Sequence, residues 1–396
     1  MNRRCPAGRY LAGSLTLAGA LTGLTGLAPA DAAVAACRWT DAGQPPPMRT
    51  DGSFNGVAVP SATEAWAVGS TTGSDGNRHA LIEHWNGSAW SIAAVPRLRA
   101  SSLVSVRSAS PASVWAVGNV LNAKHKERTL ILHWNGKTWA QQPSPSPGRF
   151  FGTLYGVRVV SATNAWAVGD YSNGGLVIRS LILHWNGTAW KQVTSPNPGA
   201  NTDLVAVAAT SARNAWAVGL AGSAMAAPLQ PGPAMPLAAG ADPGTLIVHW
   251  NGKAWTRQPS PSPGEFNSLA AVGAMSAANA WAVGSTSNGH VDQTLILRWN
   301  GRTWRRVSSP DPGGSNVNSY MTGVTATSAN NAWAVGDSQG APAFILHWDG
   351  TRWQPGPRLV LNTHLNGVAA SSARNAWAVG DVFHGTNTQP VTFHCT

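Results

Sequence analysis

Apolar residues in this chain fall in short runs separated by turn-forming Gly, Ser, Asn and Pro, a pattern of many brief strands. One run recurs. Trp-Ala-Val-Gly begins at Trp66, Trp115, Trp166, Trp216, Trp281, Trp333 and Trp377, with steps of 44 to 52 residues except for one of 65 after Trp216. Apolar repeats with tight turns at a period of roughly 40 to 50 residues predict a β-propeller, each repeat being one four-stranded antiparallel blade.

Fixed offsets assign the strands. Nine residues before each Trp stands a valine: Val57, Val106, Val157, Val207, Val272, Val324 and Val368. A small residue always precedes it, as an innermost strand A crowded around one axis requires. Five residues before the Trp is a serine in every copy, and Asn164, Asn214, Asn279, Asn331 and Asn375 stand two before it in five copies. Both residue types read as turn formers, so strand A turns sharply into strand B, the Trp-Ala-Val-Gly segment itself. The tryptophans are expected in the core between blades.

A second element follows, as in Leu181-Ile182-Leu183-His184-Trp185-Asn186-Gly187-Thr188-Ala189-Trp190. An apolar run, Asn-Gly and another short run predict a two-residue type I′ hairpin joining strands C and D. His84, His133, His184, His249, His347 and His394 recur just before the first hairpin Trp position, with Arg298 in the remaining blade. Equivalent positions on different blades cannot converge on one zinc ion, so these histidines are assigned a repeated structural role and no metal site is expected.

Seven strands B stand against six complete C–D hairpins, which leaves one blade unfinished. Thr392-Phe393-His394-Cys395 supplies its strand C and Trp39 its strand D, so the ring is expected to close by pairing of N- and C-terminal strands in the seventh blade. This alignment uses all twenty tryptophans. Cys37 and Cys395 would then flank the absent turn and face each other, predicting a disulfide. A second reading stays open: Val34-Ala35-Ala36-Cys37 resembles a bacterial lipobox, with Cys37 lipid-anchored.

Residues 1–36 read as a signal peptide and short leader, from the basic start Arg3, Arg4 and Arg9, the apolar stretch Leu11 to Leu27, and the small residues Ala28-Pro29-Ala30. A secreted, monomeric protein is expected, with residues 37–396 one propeller domain and 221–244 a flexible insertion in blade four. No later stretch is apolar for long enough to span a membrane. The formal charge of +11 falls to +8 once the three leader arginines are removed. That basicity suits an anionic cell-wall polymer or an acidic glycan, whereas scattered cations without a recognition motif argue against nucleic acid.

The short, nearly identical A–B and C–D turns share one face of the ring. Selectivity therefore belongs to the other, which carries the B–C loops and the Pro-rich D–A connections. Its candidate residues are Arg78 and His79 in blade one, Lys124, His125, Lys126 and Arg128 in blade two, and Asp170, Tyr171 and Arg179 in blade three. His290 in blade five, Asp337 in blade six, and Asp381 and His384 in blade seven complete the set.

The Trp-Ala-Val-Gly strand with its Asn-Gly-x-x-Trp hairpin resembles the repeats of Asp-box (sialidase-type) and photosystem II assembly factor propellers, and its alternation is similar to that of kelch propellers such as the galactose oxidase core. The Asp-box has Ser-x-Asp-x-Gly-x-Thr-Trp; the turn here is shorter and usually carries Asn. The arginine triad and Tyr-Glu pair that sialidase catalysis would need have no counterpart in the sequence. The leading functional expectation is a binding module for a glycan, cell-wall polymer or protein partner, without catalytic residues or cofactor. The alternatives are a hydrolase or lyase with its site at the channel mouth and a purely structural envelope protein.

Overall fold

The computed structural model describes residues 37–42, 50–174, 177–222, 244–385 and 387–396. The expected leader and residues 223–243 of the blade-four insertion lie outside them. Ala221 and Gly244, at the expected ends of that insertion, are instead paired in strands B and C of blade four.

Seven four-stranded antiparallel sheets form among the described residues, six of them in simple chain order. Blade one shows the plan, with strands A to D at Gly52–Ala58, Ala65–Thr72, Arg78–Trp85 and Trp90–Ile92. Blade seven joins Thr363–Ser372, Asn375–His384 and Asn387–Cys395 to Trp39–Asp41, closing the ring as expected. Each strand A neighbours the strands A of both adjoining blades, so these seven line the centre.

The last residue of Trp-Ala-Val-Gly is glycine because strand A bulges opposite it. In blade three the register slips between Leu154 and Gly156, and a Cβ on Gly169 would stand 1.9 Å from the Thr153 carbonyl oxygen. The tryptophans knit adjacent blades. Trp166 of blade three lies 5.1 Å from Trp250 of blade four and meets Trp255 edge-on at 5.1 Å. At the closing junction Trp333 meets Trp39 edge-on at 5.4 Å, and Cys395 takes the place of the missing Trp.

All six recurrent histidines lie against the strand B Trp of their own blade, with ring centroids 4.0 to 4.3 Å apart. Arg298 replaces the imidazole in blade five, its guanidinium 5.0 Å over Trp281. Burial holds the six imidazoles below their ordinary pKa. In three blades the asparagine two residues before the Trp holds the histidine instead of acting as a turn former. Asn214 donates from Nδ2 to Thr210 Oγ1 at 2.7 Å, which turns its Oδ1 toward His249 Nε2, also 2.7 Å away. That nitrogen must therefore carry the proton. Asn331 and Asn375 hold His347 and His394 in the same way.

The C–D turn also differs from expectation. Trp185 pairs with Trp190, so the connection has four residues. Asn186 Oδ1 accepts the N–H groups of Thr188 and Ala189 at 3.1 and 3.0 Å, and Gly187 alone takes a positive φ, +95°. A type I′ turn needs positive φ at both central residues; here the asparagine caps the loop with its side chain instead.

Cys37 and Cys395 form the predicted disulfide, with Cα atoms 5.4 Å apart. They are not opposite each other, however: Trp39 is the register partner of Cys395, and the bond runs diagonally from two residues earlier.

A hydroxyl clasp docks the Pro-rich D–A connections onto strand C in blades two to five. Thr129 meets Ser144 at 2.8 Å, Ser180 Ser195 at 2.5 Å, Thr245 Ser260 at 2.6 Å, and Thr294 Ser309 at 2.8 Å.

One core position breaks the pattern. Where the other blades have Leu132, Leu183, Val248, Leu297, Leu346 and Phe393, blade one has Glu83, 0% exposed and with both carboxyl oxygens unpartnered. It shares a strand face with Leu81, which packs against Trp377 and Val379 of blade seven.

Candidate ligand site at the channel mouth

The residue after each Trp-Ala-Val-Gly pairs with a strand A residue just before the bulge, at the end of the inner strands nearest the variable loops. These pairs are Ser53 with Ser70, Ser102 with Asn119, Thr153 with Asp170, Asp203 with Leu220, Ser268 with Ser285, Tyr320 with Asp337, and His364 with Asp381. Blades one, two and five thus carry small neutral groups, whereas blades three, four, six and seven carry ionisable ones. The ring is regular in backbone and irregular in chemistry.

Blades six and seven bring four ionisable side chains together. Asp337 is buried; its Oδ1 accepts the Leu365 N–H at 3.0 Å, and its Oδ2 lies 3.6 Å from His364 Nδ1. The Asp337 carboxylate beside it raises the His364 pKa, with the Asp381 charge adding to it against the opposing effect of burial. Asp381 is pushed up to about 6 by burial. Asn366 ties the cluster to blade one, donating to Asp381 Oδ1 at 3.1 Å and to the Phe54 carbonyl at 2.9 Å. Tyr320, half-buried, is pushed up to about 12 by burial and by the charges of Asp337 and Asp292.

A second group lies on blades three and four. Asp170 is 2% exposed with Oδ1 unpartnered. Burial, reinforced by Asp203, holds it well above the usual carboxylate range. Asp203, its Oδ1 accepting the Leu220 N–H at 3.0 Å, is raised to about 6 by burial. The Tyr155 hydroxyl is raised by burial and by both carboxylates. Among the described residues no three His, Cys, Asp or Glu side chains come together as a metal-binding group.

The structure brings three of the sequence candidates, Asp170, Asp337 and Asp381, into these clusters. Arg78, exposed at the start of strand C in blade one, is near enough to favour ionised Asp381. The others stand elsewhere on the same face. His79 pairs locally with Asp75 at 3.0 Å, and Tyr171 is half-buried against the blade-three core. Lys124 and His125 are exposed at a loop tip where His125 adopts φ +54°. Lys126 lies 4.9 Å over the Phe150 ring, and Arg128 donates to the Glu127 and Arg149 carbonyls at 2.8 and 3.4 Å. Arg179, His290 and His384 are exposed.

Sequence reasoning missed Tyr155, Asp203, Tyr320, His364 and Asn366. For Asp203, Tyr320 and His364 the available signal was the column thirteen residues before each Trp, occupied by Ser53, Ser102, Thr153, Asp203, Ser268, Tyr320 and His364, where the repeat stops repeating.

No family model and no curated protein matches the chain. Solved structures do match in fold. YCF48 bound to D1 peptide is similar at 16% identity and a TM-score of 0.56, over 90% of this chain and 97% of that one. U3-55K aligns at 10% identity and 0.57, over 92% and 99%. An ulvan lyase bound to -[GlcA(1-4)Rha3S]- aligns at 10% identity and 0.52, over 87% and 93%.

Proposed function

We propose that the protein is an exported binding module that takes a glycan, cell-wall polymer or protein partner on its variable-loop face, centred on the channel mouth of blades six and seven. One observation carries this reading. Within a scaffold that repeats down to single hydrogen bonds, the layer after Trp-Ala-Val-Gly differs from blade to blade and buries ionisable groups that the serines of blades one and five show the fold can omit. Burying a charge or a carboxyl is unfavourable for folding, and such perturbed groups gather where a ligand is handled. Propellers of this shape include one bound to a peptide and one bound to an oligosaccharide, which fits the reading without choosing between them. The basic leader, the apolar stretch after it and the Cys37–Cys395 bond support export.

The test is a glycan-array and cell-wall pull-down with wild type, His364→Ala and Asp381→Asn. Both substitutions are expected to weaken capture about tenfold or more, the loss of one charge-assisted hydrogen bond. Capture unchanged in both variants would reject the channel mouth as the contact.

The Asp337–His364 contact with Tyr320 beside it supports a second reading, a hydrolase or lyase using His364 for proton transfer. Release of reducing ends from a captured glycan, abolished in His364→Ala, distinguishes this from binding alone.

A further inference from the structure

On the same face, but at the outer edge of the ring, blades two and five each carry a groove between the clasped D–A connection and strand C, of about 390 and 430 Å³. Their positions are equivalent and their chemistry is not. The blade-two groove is walled by Arg128, Gln141, Gln142 and Ser146; at the corresponding places blade five has Gln293 for Arg128, Arg306 for Gln141 and Asp311 for Ser146.

Beyond Arg128 the surface of blade two gathers four cations, Lys124, Lys126, Arg128 and Arg149, around one carboxylate, Glu127. Arg128 reaches the Arg149 carbonyl, and Phe150 follows, 57% exposed. That ring has two neighbours: Lys126 Nζ stands 4.9 Å over its centroid, and a Cβ on Gly174 would lie 2.7 Å from its edge. Lys124, Lys126, Arg128 and Arg149 form no ion pair among the described residues. Arg128 contacts the backbone carbonyl of Glu127 and not its carboxylate.

We infer that this groove and its platform bind an acidic polysaccharide, with one sugar ring against Phe150, its carboxylate or sulfate groups on Lys126, Arg128 and Arg149, and hydroxyls in the groove on Gln141 and Gln142. An isolated cationic patch would attract any polyanion. An exposed aromatic ring beside amide side chains adds what a sugar ring and its hydroxyls require. The inference rests on this face being the binding face and is independent of the channel mouth.

Calorimetric titration tests it with four probes: oligogalacturonate, dextran sulfate, neutral dextran and polyphosphate. At least one acidic sugar polymer is expected to bind and dextran not to; comparing the first two separates carboxylate from sulfate. Phe150→Ala is expected to weaken the sugar polymer about tenfold while leaving polyphosphate unchanged, and Arg128→Ala to weaken both about tenfold or more. Arg306→Ala, in the blade-five groove, is expected to change nothing. Equal binding of dextran, equal losses from Arg306→Ala and Arg128→Ala, or no dependence on Phe150 overturns the inference, as does failure of both acidic polymers to bind. Binding lost in His364→Ala and Asp381→Asn but kept in Arg128→Ala would overturn this site and leave the channel-mouth reading standing.

Discussion

Glu83 occupies a place built for leucine, with its carboxyl cut off from water and from any hydrogen-bond donor, and burial pushes its pKa up to about 7 from an ordinary 4.5. No other charged group contributes to that shift. The folded protein keeps the proton to higher pH than the unfolded chain does. Stability from this group is therefore fully present below pH 4.5 and is lost as the pH rises through about 7, by about 3 kcal/mol at 1.36 kcal/mol per pKa unit. Glu83→Leu should raise the melting temperature at pH 8, do much less at pH 4.5, and flatten the wild-type decline between them. A variant that melts no higher than wild type at pH 8 would show that the carboxyl is solvated or paired. The substitution was there to be read in the sequence, where Leu-Ile-Glu-His-Trp in blade one stands against Leu-Ile-Leu-His-Trp in blades two and three. Noticing it requires knowing that this column faces the core rather than solvent, a fact of strand orientation.

At the level of the strand, the bulge in strand A explains both a repeated glycine and a hidden site. The carbonyl displaced by the bulge leaves no room for a side chain at the end of Trp-Ala-Val-Gly. Gly169→Ala should therefore cost about 3 kcal/mol, the upper range for overpacking a tight site, seen as a lower denaturant midpoint. A midpoint equal to wild type would mean that the bulge can relax. The same bulge made the site only half legible. Asp170, Asp337 and Asp381 stand next to a conspicuous motif and could be picked out by offset. Asp203, Tyr320 and His364 share an offset of thirteen residues before the Trp, but that this column meets the channel mouth follows from a cross-strand register that includes one extra residue. Asn214, Asn331 and Asn375 failed for a related reason: their partners are histidines 16 to 35 residues away, so local turn chemistry was the wrong frame.

For the whole molecule, the repeat dictated blade number, strand order and the shared seventh blade, because every tryptophan had to find a place between blades. That seventh blade is also the junction at which the ring can open. Blade seven is joined to blade one by a D–A connection like every other pair, but its strands Thr363–Ser372, Asn375–His384 and Asn387–Cys395 are held to its own strand D, Trp39–Asp41, by pairing and the disulfide, and to blade one by packing and hydrogen bonds. Replacing Cys37 and Cys395 by Ser should lower stability by about 6 kcal/mol on the loop-entropy scale, for a bond spanning 358 residues. Hydrogen exchange should then quicken first in Trp39–Asp41 and its partner strand. Uniform acceleration through all blades would instead mean that the ring melts as one unit. Glu83 lies at this same junction, so Glu83→Leu in the Cys-free protein should recover part of the loss at pH 8.

The shared blade also bears on how such a chain is made and moved. Trp39–Asp41 leaves the ribosome long before Asn387–Cys395, its only sheet neighbour, exists. Throughout synthesis it is an unclaimed strand, and six blades can assemble while the circle stays open. With its cysteines reduced, the chain can still unfold to a single thread with two free ends. Once Cys37 and Cys395 join, the span between them stays a closed covalent loop even when the blades unfold, so oxidation turns an open-ended thread into one that can no longer be drawn out singly.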